Sequence, residues 1–444
     1  MTRAASAPPW LREALREHYE RLSSALDLAP RAVPDAVGEV VRAEERHVER
    51  GSIVLYAGTN VMSPLARRML ATGLGSRPSM GPPGDKYQTG WVHHTERLEV
   101  LTVQLACRIF GARYAEVRLQ SGSLANLAVY AALTQPGDPI MALPERAEGH
   151  ASHHVIGMAG IRGLRVEEIP FDDRAMQVDL GGLRRVALAV RPKLIVLGAS
   201  LMPWPQPVAE AAPIARESGA RLVYDAAHVA GLIAGGRFQH PLDEGADVMT
   251  CSTYKSFGGP PGGLVITNDP EVAEGLDRAA YPQMTANYDV GRLASLAVAE
   301  AEVLAFWPEY AEACLANARA LAEALSAHGF NVPGGDRGFT ASHHVAVDAT
   351  ELGGGERAAR HLEPTGILLS QIALPWDRPG QPAGGLRMGT QEVTRWGLGP
   401  EEMARIAAWM RRALLNGEAP EPISREVTEL RGTFAELRYC FPGS

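Results

Sequence analysis

The stretch ADVMTCSTYKSFGGPPGGLVITN, residues 246–268, contains one lysine between two short apolar, β-branched runs. Such runs, bounded by glycine and proline, predict buried strands. Lys255 follows the first run and precedes a glycine-rich turn, and three hydroxyl side chains flank it: Ser252, Thr253 and Ser256. An ε-amino group at a strand end can form an imine with an aldehyde. Most lysines are solvated surface residues, but the position of Lys255 favours a nucleophilic lysine.

Similar runs continue upstream of this stretch and alternate with segments of helical spacing. The runs are residues 114–119, 192–198, 220–226, 246–253 and 262–268, and the helical segments include residues 124–134 and 208–218. Strands that alternate with helices predict an α/β domain with a mostly parallel sheet, covered by helices on both faces. We assign residues 86–305 to this large domain.

The two ends of the chain have different patterns. Residues 1–85 predict an N-terminal arm followed by an active-site loop. A long Ala/Leu/Glu-rich helical stretch begins near residue 296, and short strands and a closing helix at residues 401–415 follow it. This mixture predicts a smaller α+β domain over residues 306–444.

The composition of the 444 residues excludes several classes of protein. Apolar residues make up 46% and charged residues 21%, as in soluble globular proteins, and the net charge of −8 argues against a nucleic-acid surface. No apolar run is long enough to cross a bilayer. The four cysteines have no paired spacing, which argues against disulfides and a metal site and favours a cytoplasmic protein.

Two further polar sites follow predicted strands. Asp225 ends the run ARLVYDA, and Ser121, Gly122 and Ser123 follow the run at 114–119. The carboxyl ends of parallel strands line the crevice where such folds bind ligands. There a carboxylate can keep a pyridinium nitrogen protonated, and small residues at a helix N-terminus let backbone N–H groups approach a phosphate. Each signal alone also fits an ordinary N-cap, but the order phosphate loop, aspartate, lysine is far more specific.

Arg387 lies in the stretch GGLRMGT of the predicted small domain. Its planar guanidinium can bind an amino-acid carboxylate through two parallel hydrogen bonds. A structural salt bridge is the alternative, and spacing alone does not exclude it. With Lys255 and Asp225, Arg387 predicts an enzyme that acts on an α-amino acid.

Several stretches, from about residue 55 to the C-terminal helices, resemble the serine hydroxymethyltransferase family. They are SGSLANLAVYAALTQPGD, EGHASHH, RPKLIVLGAS, YDAAHVAGLIAGG, MTCSTYKSFGGPPGGLVIT and GGLRMGTQEVTRWGL. The resemblance implies pyridoxal 5'-phosphate (PLP) as cofactor. It also implies PLP fold type I, with a mostly parallel sheet of the seven-stranded type in the large domain. A homodimer, or a dimer of dimers, with active sites shared across the interface is implied as well.

The resemblance also implies roles for individual residues. Catalytic residues would be Lys255 as the Schiff-base lysine, Asp225 beside the pyridine nitrogen, His150 stacked on the ring and His228 at its border. The cofactor would further contact Ser121, Gly122 and Ser123 at its phosphate, Ser200 at its phenolic oxygen, and Ser252. The substrate carboxylate would bind Arg387, and Asn60, Tyr87 and Gln88 are further candidates for substrate contacts.

One loop departs from the family. PSMGPPGDKYQTG stands where the family has a motif close to Y-A-E-G-Y-P-G-K-R-Y-Y-G-G, and Met80 replaces its acid/base glutamate. Pro78 and Gln88 replace tyrosines, and the segment before Arg387 lacks an asparagine expected to help bind folate. Losing an acid/base carboxylate costs a rate factor of ~10²–10⁴. His93, His94, Glu96 and Tyr254 are the alternative groups for this proton transfer.

These departures favour a folate-independent aldolase or transaldolase acting at Cα of a β-hydroxy-α-amino acid or a glycine-like substrate. The first alternative is an O2-dependent oxidase or decarboxylase of antibiotic biosynthesis. In such an enzyme the carbanion formed at Cα would react with O2. The second is a true folate-dependent hydroxymethyltransferase in which another group replaces the missing glutamate. A PLP-binding pseudo-enzyme is disfavoured because it would not need Arg387.

Overall fold

The computed structural model describes residues 7–27, 29–88, 90–378 and 380–442, and the chain divides into two compact units after Ser52. The first unit contains helices α1 (Glu13–Ser24) and α2 (Val33–Glu44) and a π-helical turn at Glu45–Glu49. Pro34 lies in the first turn of α2, where a missing backbone N–H costs no hydrogen bond. The domain boundaries at residues 85 and 305 stay predictions.

The second unit contains the remaining strands and helices. The strands are β1 (Ile53–Val54), β2 (Tyr114–Glu116), β3 (Pro139–Ala142), β4 (Arg165–Glu168), β5 (Phe171–Asp172), β6 (Gln177–Val178), β7 (Leu194–Leu197), β8 (Arg221–Asp225), β9 (Val248–Ser252), β10 (Gly263–Thr267), β11 (His344–Asp348), β12 (Ile367–Leu368), β13 (Ser370–Ile372) and β14 (Gly385–Gly389). The helices are α3 (Pro64–Leu70), α4 (His93–Phe110), α5 (Gly122–Leu133), α6 (Met158–Ile161), α7 (Leu180–Val190), α8 (Val208–Ser218), α9 (Ala230–Ala234), α10 (Pro270–Arg278), α11 (Val290–Ala327), α12 (Gly355–Leu362), α13 (Gln391–Arg395), α14 (Pro400–Leu414) and α15 (Pro420–Thr433).

A seven-stranded sheet has the order β2-β10-β9-β8-β7-β3-β4. The strands from β9 to β4 pair in parallel, whereas β10 pairs antiparallel with both β9 and β2. The predicted α/β class with a mostly parallel sheet is therefore confirmed. The sequence pattern did not predict β3 or β4, because β3 is only four residues long and begins with proline, and β4 is largely exposed.

Both faces of the central strands are buried. In β7, Ile195 and Leu197 pack into one apolar core, and Leu194 and Val196 pack into another on the opposite face. Successive side chains of a strand point to opposite faces, so a strand buried on both sides is apolar at every position. This explains why the strands appear in the sequence as continuous apolar runs.

A third core surrounds the three-stranded antiparallel sheet β11-β14-β13 near the C-terminus. The 38-residue helix α11 contributes Val303 and Trp307 to the first core, and Leu321 and Leu325 to this one. The predicted closing helix is α14, but it is not the last one: α15 follows it and buries Ile423 against the same core. Within the described ranges, no helix is both long and apolar enough to cross a membrane.

Candidate active site

One cavity lies at the carboxyl ends of β7, β8 and β9, beside the N-terminus of α5. All nine residues predicted to contact the cofactor line it: Ser121, Gly122, Ser123, His150, Ser200, Asp225, His228, Ser252 and Lys255. Parallel strands end at the same edge of a sheet, so residues distant in the sequence meet there. The individual roles stay predictions, but the fold brings the residues together.

Lys255 is buried in this cavity beside His228. Its Nζ lies 3.0 Å from His228 Nε2. Burial lowers the pKa of Lys255 to about 8, a shift that Asp225 opposes and Arg387 reinforces. Burial, together with the charge of Lys255, also holds the pKa of His228 well below its usual range. Lys255 therefore has a larger neutral, nucleophilic fraction near neutral pH than an exposed lysine.

Asp225 is held by three hydrogen bonds. Asn126 Nδ2 and His153 Nε2 both donate to its Oδ2 at 2.9 Å, and the Ala227 N–H donates to Oδ1 at 2.8 Å. Burial alone raises the pKa of Asp225, but the bonds from His153 and Asn126 outweigh it and hold the pKa well below its ordinary value. The carboxylate is thus ionised and can face a protonated pyridine nitrogen.

The residues that orient Asp225 were not among the predicted site residues. Asn126 also accepts a hydrogen bond from Thr250 at 2.7 Å, and the Tyr130 hydroxyl lies 2.5 Å from His153 Nδ1. Asn126 lies in the stretch SGSLAN and His153 in EGHASHH, so both are in stretches that resemble the family. Their spacing gave no sign that they reach the same carboxylate.

The N-terminus of α5 faces the cavity through small residues. Ser121 caps the helix, its Oγ accepting from the Leu124 N–H at 3.1 Å. A Cβ atom added to Gly122 would lie 2.4 Å from Ser252 Oγ, so a larger residue there would force the Ser252 hydroxyl to move. A helix N-terminus carries partial positive charge and directed N–H groups, which suit a phosphate.

Arg387 lies on β14, buried between β11 and β13. Its Nη1 donates to the Ser200 carbonyl at 2.8 Å and its Nε to Ser370 Oγ at 3.3 Å. Burial lowers the pKa of Arg387, but an arginine remains protonated. Arg387 is absent from the described lining of the cavity, but its contact with Ser200, which does line the cavity, places the guanidinium beside it.

The other predicted substrate contacts lie elsewhere. Asn60 donates to the Tyr310 hydroxyl at 2.9 Å, Gln88 accepts from the Met80 N–H at 3.0 Å, and Tyr87 is 78% exposed. Asn60, Tyr87 and Gln88 are absent from the described lining of the cavity. Their substrate-binding roles stay predictions.

The four residues that were alternatives for the proton transfer lie in different places. His93 and His94 are exposed at the start of α4, and Glu96 accepts a hydrogen bond from the Gly84 N–H at 2.8 Å. Tyr254 lines the cavity, and burial raises its pKa. Of these four residues, Tyr254 is the one placed beside Lys255.

The donor set fits PLP. The cavity offers an amine for the aldehyde, an ionised carboxylate for the pyridine nitrogen and a helix N-terminus for the phosphate. A sequence model of the serine hydroxymethyltransferase family matches residues 33–410. The chain belongs to this family. It is a PLP-dependent enzyme of fold type I, as the resemblance implied.

Curated relatives of two kinds match nearly the whole chain. An α-methylserine aldolase from Ralstonia sp is 42% identical over 98% of this chain and 99% of its own length. A serine hydroxymethyltransferase from Methanopyrus kandleri is 44% identical over 91% of this chain and 95% of its own. The crystal structure of L-threonine transaldolase from Pseudomonas fluorescens superposes with a TM-score of 0.84 over 96% of both chains, at 23% identity, and shows the shared fold.

Proposed function

We propose that this enzyme is a folate-independent aldolase that breaks the Cα–Cβ bond of a β-hydroxy-α-amino acid carrying a methyl group on Cα, such as α-methylserine. The observation that carries the proposal is Met80, at the position where the family resemblance implies an acid/base glutamate. The Met80 N–H donates to the Gln88 side chain at 3.0 Å, and neither of these two residues carries a carboxylate. Relatives with the aldolase name, matched over almost their full length, support the same choice.

The reaction needs no second substrate. The β-hydroxyl loses its proton as the Cα–Cβ bond breaks, formaldehyde leaves, and the electron pair stays on Cα until a proton is added there to give alanine. When bound, PLP supplies an electron-withdrawing ring that stabilises this negative charge. A methyl-substituted Cα carries no hydrogen, so loss of a Cα proton cannot compete with this cleavage.

The side chains of the cavity have distinct tasks in this reaction. Arg387, which lies beside the cavity next to Ser200, binds the substrate carboxylate and so orients the bonds at Cα. Asp225, ionised and fixed by Asn126 and His153, would stabilise a positive charge on the ring nitrogen of bound PLP. His228 and Tyr254 line the cavity and carry groups that can accept or donate the protons.

The test is turnover of α-methylserine by the purified enzyme without tetrahydrofolate. Formaldehyde and alanine should appear in equal amounts, and neither added tetrahydrofolate nor removal of oxygen should change the rate. Lys255→Ala is the inactive control. Oxygen consumption in step with carbon dioxide or ammonia release would favour the oxidative alternative. Conversion of serine to glycine only in the presence of tetrahydrofolate would contradict the proposal.

We also infer a homodimer, or a dimer of dimers. The family resemblance supports it, as does the position of Tyr87 and Gln88, which lie outside the cavity of their own chain. A cytoplasmic location stays a prediction, supported by the four cysteines, which form no disulfide among the described residues. A role in antibiotic biosynthesis also stays a prediction.

A further inference from the structure

Glu148 has a backbone conformation that glutamate rarely adopts. It follows a short 3-10 turn at Glu145–Ala147, and its φ of 62° lies in the left-handed region that favours glycine. Non-glycine residues in this region are strained, and such strain clusters at functional sites. Glu148 lies two residues before His150 and has no part in the mechanism described above.

The surroundings of Glu148 connect it to Arg387. The Glu148 carbonyl accepts from the Ser200 N–H at 2.9 Å, and the Ser200 carbonyl accepts from Arg387 at 2.8 Å, so the backbone of Ser200 bridges the two residues. The Glu148 carboxylate accepts from the Ala373 N–H at 3.0 Å. This bond ties the carboxylate to the segment that follows β13, next to the strand that carries Arg387.

We propose that Glu148 is the resting counter-ion of Arg387 and that binding of an amino-acid carboxylate to Arg387 is coupled to uptake of one proton by Glu148. The proposal rests on the proposed function, in which Arg387 binds the carboxylate. Before substrate arrives, a buried guanidinium requires a nearby negative charge. When the substrate carboxylate takes that role, two carboxylates share one cation, and protonation of Glu148 relieves their repulsion.

The charges around Glu148 and Arg387 agree with this coupling of carboxylate binding to proton uptake. Burial raises the pKa of Glu148 to about 7, with Arg387 lowering it and Asp377, from the segment between β13 and β14, raising it. Glu148 in turn raises the pKa of Arg387, as does Tyr56. Besides burial, Arg387 also lowers the pKa of Lys255 and of three buried histidines: His228, His343 and His344. Glu148, whose pKa responds to the charge of Arg387, is thus half-protonated near pH 7.

The sign of the pH dependence follows. Below pH 7, Glu148 already carries its proton, and binding requires no uptake. Above pH 7, binding must add the proton, so amino-acid affinity falls by up to about tenfold per pH unit relative to an enzyme without this carboxylate. Glu148→Gln imitates the protonated form. It should match the wild type near pH 6 and bind about tenfold more tightly near pH 8. A residue that only supported the fold would weaken binding at both values.

Titration calorimetry of the holoenzyme with alanine, in buffers of different ionisation enthalpy, counts the protons taken up. Wild type should take up about one proton more than Glu148→Gln near pH 8, and about the same number near pH 6. Glu148→Gly, which fits the left-handed backbone, should behave like Glu148→Gln, and Glu145→Gln, an exposed neighbour, should behave like wild type. With 2-amino-1-propanol, which lacks the carboxylate, the difference should vanish.

Equal proton uptake and equal pH dependence in wild type, Glu148→Gln and Glu148→Gly would overturn the coupling. Arg387→Lys separates this outcome from failure of the proposed function. If Arg387→Lys weakens alanine binding but the Glu148 variants match the wild type, Arg387 is the clamp and Glu148 is not coupled to it. If Arg387→Lys leaves alanine binding unchanged, the carboxylate site itself is wrong.

Discussion

At the scale of single residues, Asp225 shows how the site is preorganised. Asn126 and His153 fix one oxygen of its carboxylate, and a backbone N–H fixes the other. Because these bonds stabilise the ionised form, the negative charge is in place before the cofactor binds. The ring nitrogen then meets a fixed charge, and no solvent has to reorganise during the reaction.

Asp225→Asn keeps the shape of this side chain and removes its charge. Turnover should fall by about 10²–10³-fold, as when other preorganised electrostatic contacts are lost. PLP should remain attached, because Lys255 and the start of α5 are unchanged. Steady-state kinetics and the absorbance of the bound cofactor measure the two effects. Asp336→Asn, an exposed carboxylate, is the control. A variant within a few-fold of wild type would show that Asp225 does not stabilise the ring.

The lowered pKa of Lys255 has a kinetic consequence. Only the neutral amine attacks an aldehyde, so PLP uptake by the cofactor-free protein should accelerate about tenfold per pH unit below the pKa of about 8 and level off above it. Absorbance after mixing follows the rate, and a small amine measured in parallel corrects for the titration of PLP itself. Acceleration that continues to pH 10 would mean that Lys255 titrates as an exposed lysine.

At the scale of secondary structure, the phosphate end of the cavity depends on the fit of α5 against β10. A Cβ atom added to Gly263 would lie 2.2 Å from the Ser121 carbonyl oxygen, which is backbone and cannot rotate away. The first strand residue after the glycine-rich turn therefore sets the position of the helix N-terminus.

Gly263→Ala should displace the start of α5. Overpacking of this kind costs about 1–3 kcal/mol, and PLP should dissociate faster because its phosphate site has shifted. Thermal unfolding and cofactor release measure the two effects. Gly432→Ala is the matched control: nothing lies within 4 Å of its added Cβ on α15, and alanine in a helix is stabilising by about 0.5–1 kcal/mol. Equal cofactor retention in both variants would contradict this role of Gly263.

Elements and site residues differed in how far the sequence predicted them. Lys255 and Asp225 could be predicted because both end buried parallel strands, and such ends share one edge of a sheet. The contacts of Asn126 and His153 with Asp225 could not be predicted, because they depend on how a helix and a turn pack over that edge. Glu148 begins the stretch EGHASHH, but its left-handed conformation could not be predicted, because it goes against the preference of its residue type.

At the scale of the whole molecule, the predicted homodimer can be tested through Tyr87. If Tyr87 serves the cavity of a partner chain, Lys255→Ala and Tyr87→Ala chains are each inactive, but hybrid dimers contain one intact cavity. Refolding an equal mixture should then restore about a quarter of wild-type activity, because half of the dimers are hybrids with one working site. Sedimentation establishes the assembly state. A monomeric, fully active enzyme would contradict the dimer.

Helix α11 has a consequence for how the enzyme denatures. Its 38 residues extend about 57 Å, and it contributes apolar side chains to the core beneath the seven-stranded sheet and to the core around β11, β13 and β14. Melting of the helix at one end removes packing from the other, so the two cores should lose structure in a single cooperative transition. A truncation such as Leu321→Ala, remote from the cavity, would then lower the temperature at which the enzyme releases PLP.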